Sequence, residues 1–272
     1  MLEAAVSEAP FVVREMSGSV CWLTLNRPQQ RNPLSSGMIA AIAEGIKAAA
    51  GDPGVRVIVL AGSGPVFSAG HDLGEMTGPL PQEGPSREVH LRTILNSCSE
   101  MMLGIMHCPK AIIACVQGTA TAAGCQLVSA CDLAIANEEA KFCTPGVNIG
   151  SFCTTPLVGI GRNIHRKHAM ELALTGDLFS AEDAVRMGLI NRTAPAGEVH
   201  KAVEALAQRI ASKSAQGIAS GKEAFYRQID MPVEEAFGYA REEMIKVLSC
   251  ADSDEGVRAF FEKRKPEWGG PL

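Results

Sequence analysis

The sequence predicts an α/β fold that ends in an α-helical appendage. Three observations carry this. Residues 55–60 (VRVIVL) and 111–116 (AIIACV) are short, β-branched, apolar runs, the kind that form parallel strands covered on both faces. Strand, turn and helix patterns alternate through the first two thirds of the chain. The last third shows only the 3.6-residue period of helices.

Residues 11–16 and 19–26 read as two strands separated by a turn at Ser17-Gly18, and Asn26-Arg27-Pro28 stops the second. Ser35 or Ser36 then caps a helix reaching to about residue 50, with its apolar stripe at Met38, Ile39, Ile42 and Ile46. Gly51-Asp52-Pro53-Gly54 ends it. The strand at 55–60 leads into a glycine-rich loop over 61–73. A proline-rich connection at 77–86 precedes an amphipathic helix over 87–106. The pattern then repeats: a strand at 111–116, a turn at Gly118, a short helix at 122–130, a strand at 133–136 and an extended piece at 141–144. Beyond 154 the helical segments are 165–174, 181–187, 198–214, 217–229, 233–249 and 253–264. These periods do not choose between a doubly wound sheet and a spiral of ββα turns.

Composition narrows the class. The 272 residues are 46% hydrophobic and 20% charged, as in ordinary globular chains. A chain this long buries roughly 75% of its unfolded surface. The net charge of −5 weighs against nonspecific nucleic-acid binding, which needs a basic field. Nine cysteines, an odd number and mostly inside apolar runs, read as reduced core residues. No apolar run reaches the ~18–20 residues of a membrane span. The opening MLEAAVSEAP has no signal or transit pattern.

Four segments share an order and spacing: LNRPQQRNPLS near the start, SGPVFSAGHDL at 63–73, CPKAIIACVQGTATAAGCQLVSACDLAIA at 108–136, and GVRAFFEKRKPEW at 256–268, supported by TGDLFSAEDAVRMGLINR at 175–192. Together they resemble the crotonase (enoyl-CoA hydratase/isomerase) superfamily over nearly the whole chain. The resemblance implies a crotonase-like spiral of ββα units over 1–200 and a C-terminal helical trimerisation region over 201–272. It also implies a homotrimer or dimer of trimers, a coenzyme A thioester as ligand or substrate with no other cofactor, and a mitochondrial setting.

Chemistry on an acyl thioester builds negative charge on its carbonyl oxygen, and backbone N–H groups aimed there lower the barrier. By motif position the resemblance places two such donors at Ala69, in FSAGHD, and Ala123, in TATAAGCQ. Gly70, His71, Asp72 and Leu73 then line the coenzyme path, Gln30 and Arg31 belong to an early contacting segment, and Phe260 and Lys263 reach the coenzyme, often from a neighbouring subunit. His71 reads as a loop ligand rather than a catalyst. The bland reading of Lys263 and its neighbours is a solvated basic helix end.

Hydration of an enoyl thioester needs one group to activate water and one to deliver a proton, work suited to two carboxylates. The family positions of those glutamates hold Gln126 and Gly146 here, and later acid-bearing places hold Asn148 and Thr154. An amide does not accept a proton near neutral pH. Asp132, the nearest acid, reads as structural. His165 and His168 read as surface residues rather than metal ligands, because a third ligand is missing. Three functions follow as alternatives: an acyl-CoA binding protein of lipid metabolism without orthodox hydratase activity, an acyl-CoA enzyme of altered chemistry (isomerase, thioester hydrolase or decarboxylase), or a non-catalytic scaffold.

Overall fold

The computed structural model describes residues 9–269. Residues 1–8, most of the opening segment read for targeting signals, lie outside them, as do 270–272. The elements run β1 (Val12–Ser17), β2 (Val20–Leu25), α1 (Ser36–Gly51), β3 (Val57–Gly62), β4 (Val66–Ser68), α2 (Leu73–Thr77), α3 (Arg87–Met106), β5 (Ala111–Val116), β6 (Thr119–Thr121), α4 (Ala123–Ala130), β7 (Leu133–Asn137) and β8 (Lys141–Cys143). There follow α5 (Pro156–Asn163), α6 (Arg166–Thr175), β9 (Phe179–Ser180), α7 (Ala181–Met187), β10 (Arg192–Ala194), α8 (Val199–Ala211), α9 (Ala215–Gln228), α10 (Val233–Leu248) and α11 (Ala251–Glu262).

The long strands form one sheet in the order β1-β2-β3-β5-β7-β10, parallel except for β1. The short strands form a second sheet, β4-β6-β8-β9, antiparallel only at β9. Long strand, short strand, helix therefore recurs along the chain, which is the ββα spiral. Alternation along each strand sorts side chains between two layers. Ile58, Leu60, Ile112 and Ala114 join the core beneath α1 and α3. Val57, Val59, Ile113, Cys115 and Ile135 face the other way and meet Val199, Val203 and Ala207 of α8. Burial on both faces explains why these strands read as unbroken apolar runs. The helix α8 straddles residue 200 and closes the sheet rather than extending from it.

Helix starts follow their caps. The Ser35 hydroxyl accepts from the Met38 amide at α1, Ser86 serves α3 in the same way, and Ser180 with Asp183 forms a capping box at α7. At the other end of α1 the buried Lys110 donates to the carbonyl of Ala49, where a cation suits the helix dipole. Asp132 is structural, as read: it accepts from the Ile112 amide (2.7 Å), the Tyr226 hydroxyl (3.0 Å) and the Lys222 ammonium (2.7 Å). Lys222 also donates to the carbonyls of Ile105 and Lys110, so α9 is tied to the core by one ammonium. Among the described residues no helix is long and apolar enough to cross a membrane.

Three expectations shift. The strand expected at 55–60 lies two residues on, because β2 sets its register: Val20 pairs with Val57 and Leu25 with Gly62. The loop expected over 61–73 contains β4. The helix α5 was not anticipated, because Gly159 and Gly161 dilute its period.

Candidate functional site

A cavity of about 730 Å³ opens beyond the C-terminal ends of the short strands β4, β6 and β8, against α2 and α3. Ala122 and Ala123, at the start of α4, form its floor. The loop from Ala69 to Leu73 forms one wall, and Met76 of α2 and Leu95 of α3 form the apolar roof. Opposite lie the 3₁₀ turn Pro145–Ile149 and residues 151–156, and Gln30 and Pro33 stand at the edge.

Buried Asn32 assembles this region. Its amide donates to the carbonyls of Ser63 and Val66, both at 2.9 Å, and its oxygen accepts from the Arg27 amide at 2.8 Å. The Ser68 hydroxyl donates to Asn32 O (2.9 Å), and the Thr121 hydroxyl donates to Ala69 O (2.8 Å), which joins the loop to β6. Gly70 turns the chain with φ +85°, and a Cβ there would lie 2.9 Å from the Ala122 Cβ and 3.2 Å from the Ala123 nitrogen. Only glycine allows the loop to approach α4 this closely. Ala122 holds φ 49°, ψ −117°, a backbone state that costs a non-glycine residue about 1–3 kcal/mol. That bend starts α4 abruptly. Ala123, the first helical residue, has no earlier turn to receive its N–H.

The expectation for Ala69 is corrected here. Its amide donates to the carbonyl of Arg31 at 3.0 Å and is not free for a ligand. Two residues on, beyond the Gly70 turn, the His71 amide meets no protein acceptor, and neither does that of Ala123 among the described residues. Both belong to residues that line the cavity. The sequence signal was present, since a glycine in a loop marks a reversal. It did not say which amide the reversal exposes.

Gln126 follows Ala123 by one helical step of three, behind the floor. It is 6% exposed, and its Oε1 has no hydrogen-bond partner. Gly146 is buried in the 3₁₀ turn, and the chain at Phe152 and Cys153 occupies the space a side chain would need. Asn148 lines the cavity but points its amide toward Gly176 O (3.4 Å), and the Thr154 hydroxyl donates to Phe152 O (3.2 Å). Asp72 is the one carboxylate among the lining residues. It caps α2, with Oδ1 accepting the Glu75 amide at 3.1 Å.

The titrating groups are quiet. Burial lowers the pKa of His71, outweighing the opposing pull of Glu75, so its ring is neutral at pH 7; its Nε2 has no partner. Burial pushes the Cys143 thiol up to about 11 and raises Cys153 as well, so neither is a ready nucleophile. Arg31 contributes its carbonyl, not its guanidinium, to the loop. Phe260 is 77% exposed on α11 and Lys263 is the exposed residue that ends that helix; neither lines the cavity within this chain. The sequence reading did not single out Met76, Leu95, Ile149 and Phe152 as lining residues, because their apolar character looks the same in a core.

The ββα spiral, with a helix start facing a glycine turn across an apolar cavity, defines a crotonase-fold protein. The chain belongs to the enoyl-CoA hydratase/isomerase family, whose model matches residues 15–271. It is 41% identical over 246 residues to the rat mitochondrial enoyl-CoA hydratase domain-containing protein 3, covering 90% of this chain and 80% of that one. The zebrafish protein of the same name is 41% identical over 258 residues, covering 95% and 87%. Among solved structures, an enoyl-CoA hydratase from Mycobacterium smegmatis superposes with TM-score 0.89 at 43% identity, covering 96% of this chain and 99% of its own. The human enoyl-CoA hydratase domain-containing protein 3 superposes with TM-score 0.89 at 36% identity, covering 95% and 100%.

Proposed function

We propose that this chain binds acyl thioesters of coenzyme A without the two-carboxylate chemistry of a hydratase. The thioester oxygen sits between the amides of His71 and Ala123, and the acyl chain runs under Met76 and Leu95. One observation carries the reading: two backbone donors without protein acceptors border a largely apolar cavity, while Gln126 and Gly146 stand at the family's glutamate positions. Two amides favour a developing oxyanion, each typically worth ~10²–10³ in rate. Acid–base groups supply a further ~10²–10⁴ each, and neither position offers one. Asp72 is held by its cap and lies on the coenzyme side of the loop in this reading.

The experiment is a pair of measurements on the pure protein. Calorimetry with acyl-CoA is expected to give saturable binding, and a 2-enoyl-CoA is expected to persist for hours. Rapid hydration would overturn the proposal. The names of many relatives favour a hydratase as the second reading, and the same assay decides between the two.

A homotrimer, or a dimer of trimers, fits the apolar side chains that α10 and α11 leave exposed, including Phe237 (75%), Phe260 and Phe261. Light scattering at micromolar concentration tests it. In that assembly Phe260 and Lys263 would reach a neighbour's coenzyme. A role in lipid metabolism and a mitochondrial setting extend from the names of the vertebrate relatives, and fractionation of the source cell tests the setting.

A further inference from the structure

We infer that the molecule carries a second site, which takes a small tetrahedral oxyanion such as inorganic phosphate between Lys110, Arg56 and the start of α9. The inference does not depend on the acyl-thioester reading above. The site is a pit of about 50 Å³ beside the residues that lead into β3 and β5. Lys110 and Arg56 line it together with Ala50, Pro53, Ala215 and Ile218, and it shares no residue with the thioester cavity. A single water needs roughly 10–15 Å³ of such space, so the pit has room for an ion the size of phosphate and none for a nucleotide.

Its charge is one-sided. Lys110 is 6% exposed, and a lysine buried that far is normally paired with an acid. Its ammonium has three donors, and the described residues accept two of them, at Ala49 O and Asp52 O. No carboxylate lines the pit. Asp52, beside the rim, gives its carboxylate to the Arg14 guanidinium and the Gly54 amide instead. The half-buried Arg56 spends one guanidinium nitrogen on Lys213 O, and the others meet no acceptor among the described residues. Burial lowers the pKa of Lys110, and the nearby Arg56 pushes it the same way. An anion between the two cations relieves both costs.

The backbone adds to the same sign. Ala215 is the first residue of α9, a helix of 14 residues, and it lines the pit. The Ser214 hydroxyl takes the Gly217 amide, while the amides of Ala215 and Gln216 meet no acceptor among the described residues. Such orphan amides, with the positive end of the helix dipole, favour an anion. The opposing end of α1 would repel one, but Lys110 already covers its Ala49 carbonyl. An ion held here touches the end of α1, the entry to β5 and the start of α9 at once. It therefore fastens the C-terminal helices to the spiral.

The test is calorimetric titration of inorganic phosphate into wild type, Arg56→Gln and Lys110→Met, with ionic strength held by sodium gluconate, whose anion is too large for the pit. Wild type is expected to bind phosphate saturably, with Kd in the millimolar range. Each variant is expected to bind about tenfold more weakly, the loss of one charge-assisted hydrogen bond. Saturating phosphate is expected to raise the melting temperature of wild type by roughly 2–4 °C and that of Arg56→Gln by less. Lys110→Met also uncaps α1; if it does not fold, Arg56→Gln carries the comparison, since its side chain makes a single contact to one surface carbonyl. Absence of saturable binding by wild type, as when the pit holds only water, would overturn the inference. Binding undiminished in Arg56→Gln, as at a basic patch elsewhere, would overturn it too.

Discussion

A Cβ built on Gly146 would lie 2.9 Å from the backbone nitrogen of Cys153 and 3.1 Å from its sulfur. The position of the second family carboxylate is thus crowded as well as empty, because the following loop occupies the space beside it. Replacing Gly146 by Glu forces backbone apart from backbone, and overpacking of this kind typically costs ~1–3 kcal/mol. We expect Gly146→Glu to lower the urea midpoint accordingly. The double variant Gln126→Glu/Gly146→Glu is expected to remain a poor hydratase by direct assay of a 2-enoyl-CoA. Full recovery of turnover would contradict the geometry.

The close approach of Gly70 to Ala123 gives a second expectation. Alanine at position 70 meets both an unfavourable φ of +85° and contacts with Ala122 Cβ and Ala123 N. Left-handed backbone alone costs roughly 1–2 kcal/mol for such a residue. Gly70→Ala is expected to weaken acyl-CoA binding at least tenfold, because it pushes apart the two amides that hold the thioester. Binding isotherms check this, and circular dichroism confirms that the helices persist.

Burial of His71 sets a pH dependence. Its folded pKa lies below the ordinary 6.5, so the unfolded chain takes up the proton first as pH falls. The stability this neutral ring contributes is whole above about pH 6.5 and declines as pH drops toward its folded value. His71→Gln is expected to flatten the fall in unfolding free energy between pH 7 and 5.5. An unchanged slope in paired urea titrations would show that other groups set it.

Eight of the nine cysteines are buried, and only Cys250 is partly exposed. Cys98 and Cys143 are pushed up to about 11 and Cys115 to about 12 by desolvation. Iodoacetamide at pH 8 is expected to modify Cys250 first in the native protein and all nine after denaturation. Mass spectrometry of the time course reads the order directly.

The sequence made parts of this structure legible for identifiable reasons. Helices at 87–106 and 181–187 occupy those residues because Ser86 and Ser180 announce their starts. The central strands announce themselves because both faces are apolar. Most of the second sheet stayed hidden, since β4 and β6 have three residues each, too few for alternation to register; β8 alone was anticipated, as the extended piece at 141–144. Gly159 disguised α5, yet it is there because a side chain would collide with Ser129 where α5 crosses α4. At the site, Gln126 and Gly146 could be named through the family resemblance. The engagement of the Ala69 amide by Arg31 could not, because it depends on a turn whose direction only coordinates give.

Lys222 has a consequence for how the molecule comes apart. Its single ammonium fastens α9 to Asp132, to the carbonyl of Ile105 in α3 and to that of Lys110 just before β5. Peeling the C-terminal helices away would strand a carboxylate and two oxygens at a seam with little water. The α9 helix is therefore expected to come away with the spiral rather than ahead of it.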